Sequence, residues 1–225
     1  MKWAWLLLGL FSAPLMALEA FEAHYRLLLD GEEKGRAHFS LRIDDRGYNF
    51  ESFTQPKAAQ GLQEVLERSQ GTLTEGLPRP DSYYYAVKGA DGTQMVEFFF
   101  DWPRQRFTLR DDDGTRHFRL EPHTQDRLSY LLRAMVMAER RESEARFPRL
   151  APEGTEILHL HRKGKRHLTT GAGRFLAQEI TMVTPDGKSL RRLWLAVHRH
   201  HLPLVLERHT DRGLARMELI RIDTP

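Results

Sequence analysis

The chain has 225 residues, of which 40% are hydrophobic and 29% charged, and its formal net charge is +3. This composition excludes a disordered chain and one embedded throughout in a membrane, and so small a net charge predicts no nucleic-acid partner. The chain contains no cysteine, which excludes disulfides, thiolate catalysis and zinc–thiolate sites.

The first 17 residues have the layout of a secretory signal peptide. Lys2 precedes a short apolar run over residues 3–11, and small residues around Ala17 provide a cleavage site. The run is too short to span a bilayer comfortably. We therefore expect residues 1–17 to be removed near Ala17 and residues 18–225 to form a single antiparallel β domain with one helical insertion. Because no later segment could span a membrane and no cysteine could carry a lipid, the secreted chain is expected in the periplasm.

Glycine turn signals between alternating apolar and polar residues are the main indication of the fold. Glycine supplies the positive φ that tight hairpin turns need, and aspartate tolerates the same conformation. Seven such signals occur, at Asp30-Gly31, Arg46-Gly47, Asp91-Gly92, Asp113-Gly114, Lys163-Gly164, Asp186-Gly187 and Arg212-Gly213. Each predicts a hairpin between two strands.

Alternation predicts strands through the first half of the mature chain. It is clearest over residues 21–29 and 37–43, which flank the Asp30-Gly31 turn. Residues 55–61 are a predicted loop, and residues 62–73 are a strand, with helix as an alternative for their first half. Pro78 and Pro80 indicate a turn. Further strands are predicted around residues 82–87, 95–102, 107–109 and 118–120.

The period changes to that of a helix between Pro122 and Pro148. Apolar residues at positions 128, 131, 132, 135 and 136 follow the spacing i, i+3, i+4, i+7 and i+8. This spacing predicts one long helix at about 124–141, capped by Thr124, with Asp126 in its first turn. Its opposite face, with Arg127, Arg133, Glu139 and Arg140, is expected in solvent.

Strands resume after the helix, and the last one changes its parity. Ala215, Met217 and Leu219 share one face, whereas Ile220 and Ile222 share the other, so a β-bulge is expected near Leu219. About a dozen strands and one helix predict a mainly β fold, an antiparallel barrel or half-barrel. Charged outward positions argue against an outer-membrane barrel.

Two histidine clusters are candidates for binding. His159, His161 and His167 could face a metal, but neighbouring lysines would repel a cation, and we predict exposed histidines and no metal site. Residues 198–201 form a basic turn that could hold a phosphate or lipid headgroup, although a solvated turn is the expected alternative. Arg191, Arg192 and Arg199 are the predicted anion contacts.

No catalytic motif is present. The chain has no G-x-S-x-G elbow, no phosphate-binding glycine loop and no H-E-x-x-H. Asp126 and Ser129, three residues apart, fit the first turn of a helix better than a catalytic triad. We therefore predict no enzyme activity, no catalytic residue and no cofactor.

Aromatic residues concentrate in two predicted strands. Core packing explains them, and the lining of an apolar cavity is the alternative, since larger barrels often enclose ligand sites. The predicted lining residues are Tyr84, Phe98, Phe100, Trp102, Leu128, Leu132 and Met135.

Three places resemble an exported bacterial family known as domain of unknown function 3108. They are Tyr25 with the paired glycines Gly31 and Gly35, the helix sequence QDRLSYLLR at 125–133, and Leu193-Trp194-Leu195 followed by Leu202-Pro203. The helix sequence is similar to the family's D-x-L-S-x-L signature, and the resemblance covers about residues 20–223. It implies an exported, mainly antiparallel β protein with a helix and no established activity.

The leading hypothesis is a non-enzymatic periplasmic protein that binds an apolar or lipid-like ligand in the cell envelope. The alternative is a structural or protein-interaction module of the envelope whose barrel core is solid and whose basic face contacts a partner protein. A cavity of several hundred Å³ would distinguish them, because that is the usual size of a ligand pocket.

Overall fold

A computed structural model describes residues 18–57, 63–89, 92–183 and 190–223, which form 14 β-strands and one α-helix. The elements are β1 (Phe21–Leu29), β2 (Glu32–Asp44), β3 (Gly47–Pro56), β4 (Glu64–Thr74), β5 (Leu77–Gly89), β6 (Gly92–Asp101), β7 (Arg106–Asp111), β8 (Gly114–Arg119), α1 (Ser129–Glu139), β9 (Glu144–Ala151), β10 (Gly154–Thr170), β11 (Gly173–Val183), β12 (Leu190–Ala196), β13 (Leu202–Thr210) and β14 (Gly213–Asp223). The predicted signal peptide, most of the 55–61 loop, Asp91 and the Asp186-Gly187 turn lie outside the described residues.

The strands form one antiparallel sheet, in the order β8-β7-β6-β5-β4-β3-β2-β1-β14-β13-β12-β11-β10-β9. The first and last strands pair with each other, and β8 and β9 are left at the two edges, so the sheet is not closed. Helix α1 contacts β5 on one half of the sheet and β9, β10, β11 and β13 on the other. The sheet therefore bends around the helix, which confirms the predicted barrel or half-barrel.

The predicted Asp30-Gly31 hairpin turn is present, and hydrogen bonds connect it to a second turn. Both residues have positive φ, 49° and 84°, as a two-residue type I′ turn requires. The Asp30 carboxylate accepts a hydrogen bond of 2.9 Å from the Leu214 N–H, and the Asp30 N–H donates to the Leu214 carbonyl at 3.0 Å. The β1–β2 turn is thus joined to the β13–β14 turn at Arg212-Gly213.

The hairpin predicted at Lys163-Gly164 is wrong. Strand β10, which is 17 residues long, continues through Lys163 and Gly164, and its pairing with β11 shifts between Arg162 and Lys165. Lys163 and Gly164 therefore form a bulge, where the strand bends without reversing. The Gln178 side chain donates to the carbonyls of both residues, at 2.6 and 3.2 Å, and so satisfies two acceptors that the bulge removes from the ladder.

The turn predicted at Pro78 and Pro80 is also misplaced. Glu75 and Gly76, with φ of 54° and 73°, make the turn, and both prolines lie in β5. Pro80 pairs with Gly71 next to a register shift, a position where a strand tolerates a residue that has no N–H. The preceding strand, β4, begins at Glu64, so the helical alternative for this segment is wrong.

The bulge predicted near Leu219 is confirmed. His24 pairs with Arg221, and the next residue, Tyr25, pairs with Leu219, so Ile220 has no partner on β1. The parity change in β14 has this cause. It allows Met217 and Leu219 to point to the core, where Leu219 is fully buried.

Helix α1 is shorter and more deeply buried than its sequence pattern predicts. It occupies Ser129–Glu139 instead of 124–141, and Ala134 and Met137, which lie outside its predicted apolar face, are completely buried. Arg133 is also largely enclosed, with its side chain 15% exposed and paired to Glu142 at 2.6 Å. A helix surrounded by a bent sheet must be apolar on nearly every side, and this one is.

The helix begins at a buried polar cluster centred on Asp126. One carboxylate oxygen accepts hydrogen bonds of 2.8 Å from the N–H groups of Leu128 and Ser129, and the Ser129 hydroxyl accepts the Asp126 N–H at 2.8 Å. The other oxygen accepts the Ser69 hydroxyl of β4 at 2.6 Å. Asp126, not the predicted Thr124, is therefore the cap, and it fixes the helix to the sheet.

We expect Asp126→Ala to lower the free energy of unfolding by about 2–4 kcal/mol at pH 7, because it removes a helix cap and one of the two hydrogen-bond partners of the buried Ser69 hydroxyl. Asp126→Asn keeps an acceptor for the two N–H groups and is expected to cost less than half as much. Urea unfolding followed by circular dichroism measures both. Asp112→Ala in the exposed β7–β8 turn is the matched control, and an equal loss in the control would contradict the assignment.

Burial raises the pKa of Asp126 from 3.8 to about 6, although hydrogen bonds from Ser69 and the helix amides oppose the shift. The Asp126 carboxyl group therefore binds its proton more tightly in the folded state than in the unfolded state. This difference stabilises the fold fully below about pH 4, and the stabilisation is lost as the pH rises to about 6. We expect the stability difference between wild type and Asp126→Asn to fall by about 3 kcal/mol over this window. Urea unfolding at pH 4, 5, 6 and 7 measures it, and a constant difference would exclude the shift.

Candidate functional site

A cavity of about 660 Å³ lies on the concave side of the sheet, beside the beginning of α1. Its apolar wall comes from β1, β2, β4, β13, β14 and the helix, and includes Leu27, Phe39, Val65, Leu131, Leu206 and Met217. Each of these residues faces the interior, from a strand or from the helix. The volume is within the usual range of ligand pockets. We call this space the main cavity.

Basic side chains outnumber acidic ones around the main cavity. Among the described residues, the lining contains three acidic side chains, Glu67, Glu153 and Asp211, and seven basic ones, Lys34, Arg127, Arg149, Arg191, Arg208, Arg212 and Arg216. Some arginines have partners that lie outside the lining. Arg216, for example, donates to Glu207 at 2.6 Å and to Glu218 at 2.7 Å. Whether an arginine of the lining keeps an uncompensated positive charge therefore depends on its own ion pairs.

Arg127 forms one wall of the main cavity and has two carboxylate partners. Its guanidinium lies 3.4 Å from Glu67 and 3.4 Å from Glu153, and 5.2 Å from the centre of the Tyr85 ring. Glu67 also accepts the Tyr83 hydroxyl at 2.7 Å. Burial is the largest single effect on the pKa of Arg127 and would lower it, but Glu67, Tyr83, Glu153 and Tyr85 together raise that pKa above its ordinary value. This arginine is neutralised by the protein itself.

Arg149 and Arg191 are arranged differently. Both donate to a single oxygen of Glu156, Arg191 at 3.0 Å, and their side chains are only 8% and 13% exposed. The Arg149 guanidinium lies 5.5 Å from the centre of the Tyr130 ring on α1. Burial, and then the charge of Arg191, lower the pKa of Arg149. Two guanidinium groups thus share one carboxylate.

A second cavity, of about 410 Å³, lies at the opposite ends of β1 and β14. Phe21, Met135, Leu202 and Ile222 are among its lining residues. Nearby, the buried His201 imidazole lies 2.8 Å from Glu139, and burial lowers the pKa of His201 although Glu139 acts in the opposite direction. The basic turn predicted at 198–201 is therefore partly folded into the protein.

The predicted ligand-lining residues do not meet in one place. Leu128 lines the main cavity and Met135 the second, whereas Leu132 is fully buried in the core. Phe98 is buried on the inner face, and Phe100 and Trp102 stack at 6.0 Å beside a separate depression of about 520 Å³. The Trp102 ring nitrogen donates to the Pro80 carbonyl at 2.7 Å. Contact of any of these residues with a ligand stays a prediction.

Tyr84 lies on the outer face, contrary to its predicted position. Its neighbour Tyr83 is the inward residue, 1% exposed, whereas the Tyr84 hydroxyl donates to the Met95 sulfur at the surface. Three consecutive tyrosines give no parity signal, so the sequence does not distinguish the inward tyrosine from its neighbours. Register with the following strand, in which Phe98 pairs with Tyr83, determines the face.

The predicted anion contacts are also separated. Arg191 lines the main cavity, Arg199 lines the second, and Arg192 points to the other face of β12, where it lies 4.0 Å from Glu179. Arg149 is not among the predicted site residues, although a lone arginine within the otherwise apolar segment Phe147–Ala151 is a signal for it. Arg127 was assigned to solvent and lies in the cavity wall.

The histidines of β10 take no common part in a site. His161 lies 3.8 Å from Glu144, and His167 is exposed. Within residues 18–57, 63–89, 92–183 and 190–223, no group of three or more His, Cys, Asp or Glu side chains is placed to hold a metal ion. Nor do these ranges contain a helix of the length and apolarity that crossing a membrane requires.

The chain belongs to the family described as protein of unknown function (DUF3108), whose sequence model matches residues 20–220. No curated protein matches the chain. Its structure is similar to that of a beta-barrel-like protein of domain of unknown function DUF1849 from Brucella abortus, with a TM-score of 0.66 and 10% identity over 92% of this chain and 98% of that one. At this identity the similarity concerns the fold alone.

Two further structures are more distant. A protein described as exported, with a YmcC-like fold, from Bacteroides fragilis gives a TM-score of 0.38 at 10% identity over 92% of this chain and 97% of its own. A protein described as a lipoprotein from Parabacteroides distasonis gives 0.37 at 7% identity over 92% and 96%.

The Glu67–Arg127 pair should stabilise the cavity wall more than an exposed pair does. A double-mutant cycle with Glu67→Gln and Arg127→Met is expected to give a coupling energy of about 1–2 kcal/mol, because both side chains are largely shielded from water. The matched control is Glu51–Arg68 on the outer face of β3 and β4, at 3.1 Å, where about 0.5 kcal/mol or less is expected. Urea unfolding measures both cycles, and equal coupling energies would contradict the argument.

Proposed function

We propose that this DUF3108 protein is a non-enzymatic binding protein for an apolar or lipid-like ligand in the cell envelope. The main cavity carries the proposal. At about 660 Å³ it has the size of a ligand pocket, and its inner wall is formed by aliphatic and aromatic side chains that the fold leaves without packing partners on one side. An apolar ligand in the cavity would remove this apolar surface from water, which is favourable.

The architecture supports a ligand that enters from one end. Helix α1 fills the middle of the bent sheet, where Leu132, Ala134 and Val136 are fully buried. Of the two cavities that helix residues line, the larger lies where the helix begins and the smaller lies beside Met135. A ligand held there would contact the first turn of α1 through Leu128 and Leu131.

A periplasmic location belongs to this proposal. It is supported by the predicted signal peptide over residues 1–17, with cleavage near Ala17. A lipid-like ligand is available to a protein in that compartment from the membranes on either side.

The alternative, a structural or protein-interaction module, is favoured by the solid packing around α1. It would leave the main cavity to water. The basic face expected for such a module is not a single surface, because Arg191, Arg192 and Arg199 lie in three different places. Binding of an apolar probe separates the two proposals.

Thr54 on β3 lines the main cavity, and Thr54→Trp should fill part of it. With the neutral fluorescent probe N-phenyl-1-naphthylamine, we expect saturable binding to the wild type and affinity at least about tenfold weaker in this variant, since the added ring occupies the apolar space. Thr115→Trp, an exposed position on β8, is the matched control and should bind as the wild type does. Absence of binding to the wild type, or equal binding to both variants, would overturn the proposal.

A further inference from the structure

We infer that the ligand of the main cavity is an anionic amphiphile, whose carboxylate or phosphate headgroup is bound by Arg149 and Arg191 while its chain lies along the apolar wall. This inference rests on the proposed function and names the ligand class. The two arginines lie on different strands, β9 and β12, and α1 supplies the third side through Tyr130. They meet only in the folded protein.

The first observation is an imbalance of charge. Arg149 and Arg191 line the main cavity and are almost fully buried, and Glu156, which does not line it, is the one carboxylate that both contact among the described residues. Two guanidinium groups against one carboxylate leave one positive charge. An enclosed charge without compensation is costly, and a bound anion would compensate it.

The second observation is an unused donor. The Nε atom of Arg149 is buried, and no hydrogen-bond partner for it occurs in the described parts of the chain. Arg149 as a whole is 7% exposed, and the Tyr130 ring helps to fix its position. A buried donor of this kind requires a partner, and a guanidinium edge binds two oxygens of a carboxylate or phosphate side by side.

The other arginines of the cavity do not show this combination. Arg127 has Glu67 and Glu153 at 3.4 Å, and Arg216 has Glu207 and Glu218 at 2.6 and 2.7 Å. The charges of Arg127 and Arg216 are compensated inside the protein, whereas Arg208 and Arg212 are exposed, so that water screens their charges. The place for an anion is therefore the Arg149–Arg191 pair, and Glu67, Glu153 and Asp211 would repel an anion elsewhere along the wall.

The size of the cavity favours an amphiphile over a free ion. A volume of about 660 Å³ is many times that of a water molecule, about 30 Å³ in the liquid. An inorganic anion at the arginine pair would leave the apolar wall beside Leu128 and Leu131 in contact with water. An acyl or alkyl chain would cover it.

Binding of decyl phosphate, decanol and inorganic phosphate to the full chain tests the inference, with displacement of N-phenyl-1-naphthylamine and calorimetry as readouts. We expect the wild type to bind decyl phosphate at least about 30-fold more tightly than decanol, and inorganic phosphate far more weakly than either. Arg149→Gln and Arg191→Gln should each weaken decyl phosphate binding about tenfold or more and change decanol binding less than twofold. Arg192→Gln, next in the chain and on the opposite face of β12, is the matched control and should change neither.

The outcomes separate this inference from the proposed function. Equal affinities for decyl phosphate and decanol would overturn the anion site and leave the cavity proposal intact, whereas binding of neither would overturn both. Inorganic phosphate that binds as tightly as decyl phosphate would show a free-anion site and overturn the amphiphile. If Arg149→Gln does not fold, Arg191→Gln decides, because its side chain is not part of the β9 edge; an unchanged preference for decyl phosphate in that variant would overturn the inference.

Discussion

The position of the helix inside the bent sheet depends on the buried Asp126 carboxylate. A sheet that does not close has no covalent or hydrogen-bonded ring to hold its two halves together, so its interior must do so. Asp126 connects the two parts of the molecule directly, because one oxygen caps α1 and the other accepts the Ser69 hydroxyl on β4. The Tyr48 hydroxyl, 3.2 Å from Ser69, extends the connection to β3. Such a network is stabilising only while every member has a partner.

The curvature of the sheet has local causes that the sequence shows only in part. Register shifts interrupt the ladders on both sides of β1, within β10 and within β5, and each lets a strand bend. Gly71 illustrates the tight packing at such a point, since an added Cβ would lie 2.2 Å from the Arg79 carbonyl oxygen. Bending brings distant parts of the chain together around α1.

Much of the fold could be predicted because the alternation of apolar residues follows directly from burial of one face. The strands around Asp30-Gly31 and the bulge at Ile220 are examples. Lys163-Gly164 could not be assigned, because a glycine after a polar residue fits a bulge as well as a turn, and the Gln178 side chain that decides between them comes from another strand. The predicted helix begins too early because Asp126 suits the first turn of a helix. In the structure Asp126 caps the helix from outside it, and Gln125 before it pairs with β9.

The candidate site could be predicted less well than the fold, because it depends on which charged residues turn inward. Arg191 and Arg192 are chemically equal neighbours, and only the register with β11 and β13 sends Arg191 to the cavity and Arg192 to the outside. Arg149 owes its position to the segment around Gln125, whose carbonyl accepts the Leu150 N–H at 2.8 Å and covers that edge of the sheet. The same segment continues into the Asp126 cap. The helix anchor and the arginine pair are therefore consecutive features of one chain path, and Tyr130, four residues after Asp126, is the contact through which the position of α1 determines the position of Arg149.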